Sequence, residues 1–339
     1  MILFMANPDR YTTATLSRFW HGDDDAQVTS SGYDGRPGWI GTSDTAFLRR
    51  IVFPTDTKRF VIGARFHVST LPASPKMILC AIDDASQPQA SVVLKTDGTL
   101  ALYSGDAAGT ELAVSVATVN VGTWNRIAFQ GVIDRISGSL ELQLNSTRAV
   151  ENIVADVSGV NTSPEDSRVW SGVELGLSAN IKAAHLYALD GTGGLNSIIP
   201  DALVQNLVPL EDGTYQAWVP NTGASRFAAI DDAAPDDAAT YIKASVANDD
   251  FSVVVTEVDE EEYSRVYGAQ ATFMALSSVT PQKRIKPFVV SDGSQKMYAE
   301  QVLPSTYAAL IVNVPLDPAT SLSWTPFSLN NVEWGARLR

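Results

Sequence analysis

The run Asn125-Arg126-Ile127-Ala128-Phe129-Gln130-Gly131-Val132, answered by Gly138-Ser139-Leu140-Glu141-Leu142-Gln143-Leu144-Asn145, decides the fold class of this chain. Leu140, Leu142 and Leu144 fall on alternate positions, which a strand gathers on one face while Ser139, Glu141 and Gln143 take the other. A helix would spread the same leucines around its axis. The two runs therefore read as paired antiparallel strands, with Glu141 turned to solvent.

The same punctuation runs outward in both directions. Residues 60–68, 76–82, 91–95, 100–103 and 182–187 are rich in Val, Ile, Leu, Phe and Tyr and are cut by Gly, Asp, Asn or Pro. Asp97-Gly98 supplies the positive φ of a tight hairpin turn between two of them. Beyond residue 205 the pattern resumes at 217–219, 251–256, 268–276, 284–290, 308–314 and 332–338. Short strands at regular spacing, with hardly a helical pattern between them, predict an all-β chain of sandwich or barrel type. One short helix is expected near the C-terminus, with Thr325 as N-cap and Pro326 at the first helical position.

At roughly 100–200 residues per domain, the 339 residues make about two domains. The glycine-dense Gly191-Thr192-Gly193-Gly194 places the break, giving expected antiparallel β-sandwich (jelly-roll) domains at 1–195 and 196–339. Hydrophobic residues at 45% and charged residues at 18% mark a folding chain, and no apolar run has the length of a membrane span. A formal charge of −14 repels phosphate backbones and anionic lipid surfaces, so neither nucleic acid nor membrane is an expected partner. Met1 to Pro8 is apolar but short and lacks a basic leader, so a signal peptide is not expected and synthesis is expected in the cytoplasm.

The chemistry-bearing residues are sparse. Cys80 is the single cysteine, inside a strand-like run, and reads as a core thiol. His21, His67 and His185 are too widely spaced to share a metal from one element, and no nucleophile elbow or phosphate-binding glycine loop occurs. Glu111, Glu141 and Glu174 are the carboxylates from which a glycosidase pair would be drawn, although no acid motif joins them. Trp124, at the entrance to its strand, is expected to plug the end of the core, whereas Trp39 reads as core or contact.

Acidic clusters stand out: Asp23-Asp24-Asp25, Asp231-Asp232, Asp236-Asp237, Asp249-Asp250 and Asp259-Glu260-Glu261-Glu262. From Asp231 to Glu262, 11 acidic residues face one basic residue, Lys243. Asp231, Asp232, Asp236 and Asp237 are the candidates for a Ca²⁺ site, since calcium takes several convergent oxygens. A docking surface for a basic partner is the alternative, and the commoner use of such charge is a solvated face.

Several segments are similar to a known family. Asp9-Arg10-Tyr11-Thr12 with Trp20, Gly32-Tyr33-Asp34-Gly35-Arg36, the run from Phe60 to Phe66, and Gly122-Thr123-Trp124-Asn125-Arg126-Ile127-Ala128-Phe129 resemble the concanavalin A-like or laminin-G-like jelly roll of tailed-bacteriophage structural proteins. The stretch from Leu207 to Trp218, the Asp231-Asp232-Ala233-Ala234-Pro235-Asp236-Asp237 block and the closing Val332-Glu333-Trp334-Gly335 resemble a C-terminal β domain recurring in such virion proteins. The resemblance covers nearly the whole chain. It implies a non-enzymatic virion component, expected at the tail, tail tip or baseplate, partnered by other virion proteins and copies of itself, and able to touch cell-surface glycan. No catalytic or calcium-binding residues carry over. The alternatives are a capsid decoration protein, a carbohydrate-binding module and a glycoside hydrolase.

Overall fold

The computed structural model describes residues 2–10, 12–20, 22, 25–51, 57–147, 150–164, 169–193, 196–223, 225–232, 236 and 238–339. The chain divides into two compact units, Met1–Gln205 and Asn206–Arg339. Gly194 and Leu195, beside the glycine-dense break, lie outside the described residues. Residues 196–205 pack with the first unit, burying Ile198, Ile199 and Val204.

Among the described residues the first unit holds two antiparallel sheets. The larger runs Ile153–Val160, Gly138–Leu144, Trp124–Val132, Arg59–Val68, Ile181–Leu189, Gly38–Gly41, Ala26–Thr29, and Ile2–Ala6 also pairs with Ile181–Leu189. The smaller runs Phe47–Ile51, Gly172–Gly176, Lys76–Ile82, Pro88–Leu94, Thr99–Ser104, Thr110–Thr118. The pairing expected from the deciding stretch is present, with Phe129 opposite Leu142 and Gln130 opposite Glu141.

Period-2 alternation sorts the side chains. Ile62, Ala64, Phe66 and Val68 point inward with Leu140, Leu142 and Leu144, and Val173 and Leu175 answer from the other sheet. Trp170, fully buried, stacks edge-on against Phe60 and donates its Nε1–H to Arg59 O (2.6 Å), tying the smaller sheet's chain to the larger. Trp39 is core, in edge contact with Trp20. Trp124 is not the expected core plug: it is half-buried on the outer face, since its strand partner His67 alternates with the inward Phe66 and Val68.

In the second unit the main sheet runs Pro209–Gln216, Asp250–Val255, Val332–Leu338, Arg284–Ser291, Ser294–Met297, with Gln301–Val302 on the same neighbour. Pro287 lacks an amide proton, and the outer pairing changes hands there: Gln301–Val302 pairs before it and Ser294–Met297 after it. A ribbon of Ala269–Ala275 and Ala308–Val314 packs Val312 and Val314 against Val289, Val332 and Trp334. Helix Pro326–Asn330 starts where expected, with Thr325 accepting from Ser328 N, and Leu329 enters the same core. Among the described residues a one-turn α-helix, Leu16–Phe19, occurs besides, with 3₁₀ turns at Pro8–Arg10, Thr13–Thr15, Tyr33–Gly35 and Phe227–Ala229.

Candidate functional site

The larger sheet's outer face carries a groove of about 310 Å³. Alternation builds it: Gln130, Ser139, Glu141, Asp156 and Ser158 occupy outward positions on three adjacent strands, with Arg59 and Asn196 at its margin. Glu141 stands directly opposite Asp156, and Gln143 Nε2 donates to both Glu141 and Glu151 (3.0 Å each). Like charges facing across a strand pair disfavour the isolated sheet. Carboxylates, amides and hydroxyls held side by side offer acceptors and donors to a hydroxyl-rich ligand.

One wall of the same face is a strap formed by residues 196–205. Ile198 N donates to Gln130 Oε1 (3.2 Å), Arg126 Nη2 to Ile199 O (2.5 Å) and Tyr187 Oη to Ile199 O (3.2 Å). Gly63 makes room for Tyr187, because a Cβ there would lie 2.5 Å from its ring. Arg65 pairs with Asp201 on the strap (2.7 Å), and Val204 N donates to His185 Nδ1 (3.1 Å). His185 sits on a bulge, at φ 52°, which swings its ring onto this face. Burial holds its pKa down to about 4, with Arg65 and Arg36 adding repulsion and a contact of Nδ1 with the Val204 carbonyl oxygen (3.2 Å), to which the protonated ring can donate, opposing.

Tyr33 completes the cluster. Its ring lies 4.2 Å from the Arg65 guanidinium and meets His185 and Trp124 edge-on at 5.4 and 5.7 Å, while Trp124 meets His67 at 5.6 Å. His185 is thus a hydrogen-bonded histidine 2% exposed, and His67 a half-buried one on the strand's outer side. His21 lies outside the described residues.

The three glycosidase candidates are not brought together. Glu141 is on the larger sheet, whereas Glu174 is 5% exposed on the smaller, its Oε2 held at 2.6 Å by both Nε and Nη2 of Arg49. Burial pushes the Glu174 carboxyl up while Arg49 pulls it back. Cys80 stands opposite Glu174 in the register, and burial, then that carboxylate, push its thiol well above the ordinary range. Glu111, exposed at the sheet's edge, accepts from Lys95 Nζ and Tyr103 Oη (3.0 Å each).

In the second unit Asp232 and Asp236 converge on the Thr240 hydroxyl (2.9 and 2.8 Å), and Asp236 also accepts from Thr240 N (3.1 Å). Asp231 is exposed beside them; Asp237, like Asp23 and Asp24, lies outside the described residues. Among the described residues no three His, Cys, Asp or Glu side chains are grouped to hold a metal ion.

The sequence placed Ser139 and Glu141 on an outward face, but Gln130, Asp156, the strap and the Arg65–Arg126–Tyr33–His185 cluster were missed. The alternation of Arg65 and His67 with core residues was the available signal; the cross-strand register that sets Arg65 opposite Arg126 was not.

No protein-family model and no curated protein matches this sequence. Among solved structures, Trypanosoma rangeli sialidase aligns at TM-score 0.35 and 10% identity over 49% of this chain and 27% of its own. The cellulose induced protein Cip1 aligns at TM-score 0.35 and 13% identity over 55% of this chain and 90% of its own. A pentraxin from Limulus polyphemus gives 0.31 and 14% over 44% and 72%. The alignment thus spans about a quarter of the sialidase, and likeness this slight says nothing of activity.

Proposed function

We propose that this chain is a non-enzymatic structural component of a tailed-phage particle, at the tail, tail tip or baseplate, whose first unit also contacts cell-surface glycan. The glycan part is carried by one observation, the groove with Gln130, Ser139, Glu141, Asp156 and Ser158 on adjacent strands. Carboxylate pairs of this kind accept from vicinal sugar hydroxyls, and a rigid sheet holds them in place without ordering cost on binding. The particle part is supported by the sequence blocks similar to virion proteins, and the exposed Asp259-Glu260-Glu261-Glu262 run suits a basic neighbouring subunit.

Two measurements test it. Antibody labelling or a particle reconstruction locates the chain; labelling confined to the head replaces the tail assignment with capsid decoration, and absence from the particle leaves a free carbohydrate-binding module. Glycan binding by the purified chain should fall at least about tenfold, roughly 1.4 kcal/mol, in Gln130→Ala and Glu141→Gln, with no product formed. Turnover abolished by Glu141→Gln or Asp156→Asn would make the chain a hydrolase instead.

A further inference from the structure

Beneath the strap the charges do not balance. Arg65 and Arg126 are cross-strand partners, 8% and 5% exposed, yet among the described residues one carboxylate, Asp201, reaches the pair, and it touches Arg65 alone. Arg126 donates to two neutral carbonyls, Ser146 O and Ile199 O. The Nε–H groups of both arginines and His185 Nε2 are buried with no hydrogen-bond partner among the described residues. Two buried guanidiniums side by side are costly unless an anion compensates both.

Asp201 itself is poorly suited to be a permanent structural partner. Its side chain is 54% exposed, and its backbone takes the left-handed turn conformation at φ 52° that aspartate tolerates. A half-exposed carboxylate on a non-repetitive strap is a replaceable one. Its partner Arg65 is stacked on the half-buried Tyr33 ring, and the half-buried Trp124 meets that ring edge-on. A planar guanidinium stacked on one aromatic ring, with a second ring edge-on to the first, matches a sugar ring that bears a carboxylate, the guanidinium taking the acid and the outer ring the C–H face. The polar groove adjoins the strap through the Ile198–Gln130 bond, so neighbouring sugar hydroxyls would fall on Gln130 and Glu141.

We infer that Asp201 is a built-in stand-in for the carboxylate of an acidic sugar, and that the 196–205 strap is a lid over a uronic-acid recognition site made by Arg65, Arg126, Tyr33 and Trp124. The ligand's carboxylate displaces Asp201 from Arg65, and the lid lifts with it. This deepens the glycan-contact reading and rests on it. The signature is competition: a residue that merely stabilises the fold weakens binding when removed, whereas an internal competitor strengthens it.

The test uses an oligogalacturonate and its carboxyl-reduced counterpart, titrated calorimetrically against the full chain. Asp201→Asn should bind the oligogalacturonate about five- to tenfold more tightly than wild type, because the competent state is no longer taxed by the internal pair. Tyr33→Ala should weaken it, and Arg65→Lys should weaken it more, the second read alongside Asp201→Asn because Asp201 is half-exposed and its substitution leaves the core intact. The reduced oligomer should bind at least about tenfold more weakly to wild type and gain nothing from Asp201→Asn. Unchanged or weaker oligogalacturonate binding in Asp201→Asn, or equal binding of the two oligomers, overturns the inference. Oligogalacturonate binding that is lost in Gln130→Ala but indifferent to both Asp201→Asn and Arg65→Lys overturns this site and leaves the groove reading standing; no binding of either oligomer overturns both.

Discussion

The two outer faces of the first unit deal with charge in opposite ways. On the smaller sheet, Arg49 and Glu174 close on each other, Ser91 Oγ donates to Gly105 O (2.7 Å), and Cys80 is sealed among them. On the larger sheet, Glu141 faces Asp156 with a neutral amide, Gln143, as its donor, and of two adjacent arginines Arg65 meets the Asp201 carboxylate while Arg126 meets neutral carbonyls. A buried polar group that is fully partnered holds a fold together; one left in surplus is held there at a cost the fold does not itself recover.

Breaking the sealed face should have the largest effect. Arg49→Ala leaves the Glu174 carboxylate buried, and denaturant unfolding should show a loss of about 3 kcal/mol, at the low end for a buried pair because Glu174 can take up a proton. Replacing both partners by apolar groups, Arg49→Met with Glu174→Leu, should restore most of that; a double variant as unstable as the single would mean that the pair contributes more than mutual compensation.

An intermediate effect is expected from pH on the strapped face. His185 is depressed to about 4 in the folded chain, so as pH falls below the ordinary value of about 6.5 the unfolded chain takes up the proton first and stability declines. The contribution is complete above about pH 6.5 and should fall by about 2 kcal/mol by pH 5, before most carboxylates titrate. His185→Asn should flatten that part of the profile, and an unchanged slope in the variant would assign it to other groups.

The open groove should be the least sensitive. Glu141→Gln relieves the repulsion with Asp156 and should change unfolding stability by less than about 0.5 kcal/mol, while removing glycan binding. A large stability loss would place Glu141 with the sealed pair rather than the surplus. In the second unit, millimolar Ca²⁺ raising the melting temperature beyond an equal ionic strength of NaCl, with the gain absent in Asp236→Asn, would make the Asp232–Asp236 turn a calcium site; no gain leaves it a turn closed by Thr240.

Much of the fold was legible along the chain. Runs with clean alternation, such as 138–145, nearly continuous apolar runs, such as 308–314, and punctuated helices, such as Thr325-Pro326, carry their structure locally. Edge and outer strands escaped: Thr110–Thr118 and Ile153–Val160 expose too many of their residues for an apolar face to show. Trp124 was misplaced for a related reason, since a large ring at a strand start suits a core, and only its register with His67 turns it outward.

Composition and period-2 patterning by themselves determined that this is an all-β chain with an acidic surface, because inward and outward positions are set by the pleat one residue at a time. Which outward residues meet was decided by tertiary structure alone. Arg65 and Arg126, Glu141 and Asp156, and Asp201 on its strap are distant in sequence, and their proximity comes from strand register and from a non-repetitive segment laid across the sheet, neither of which leaves a local signature.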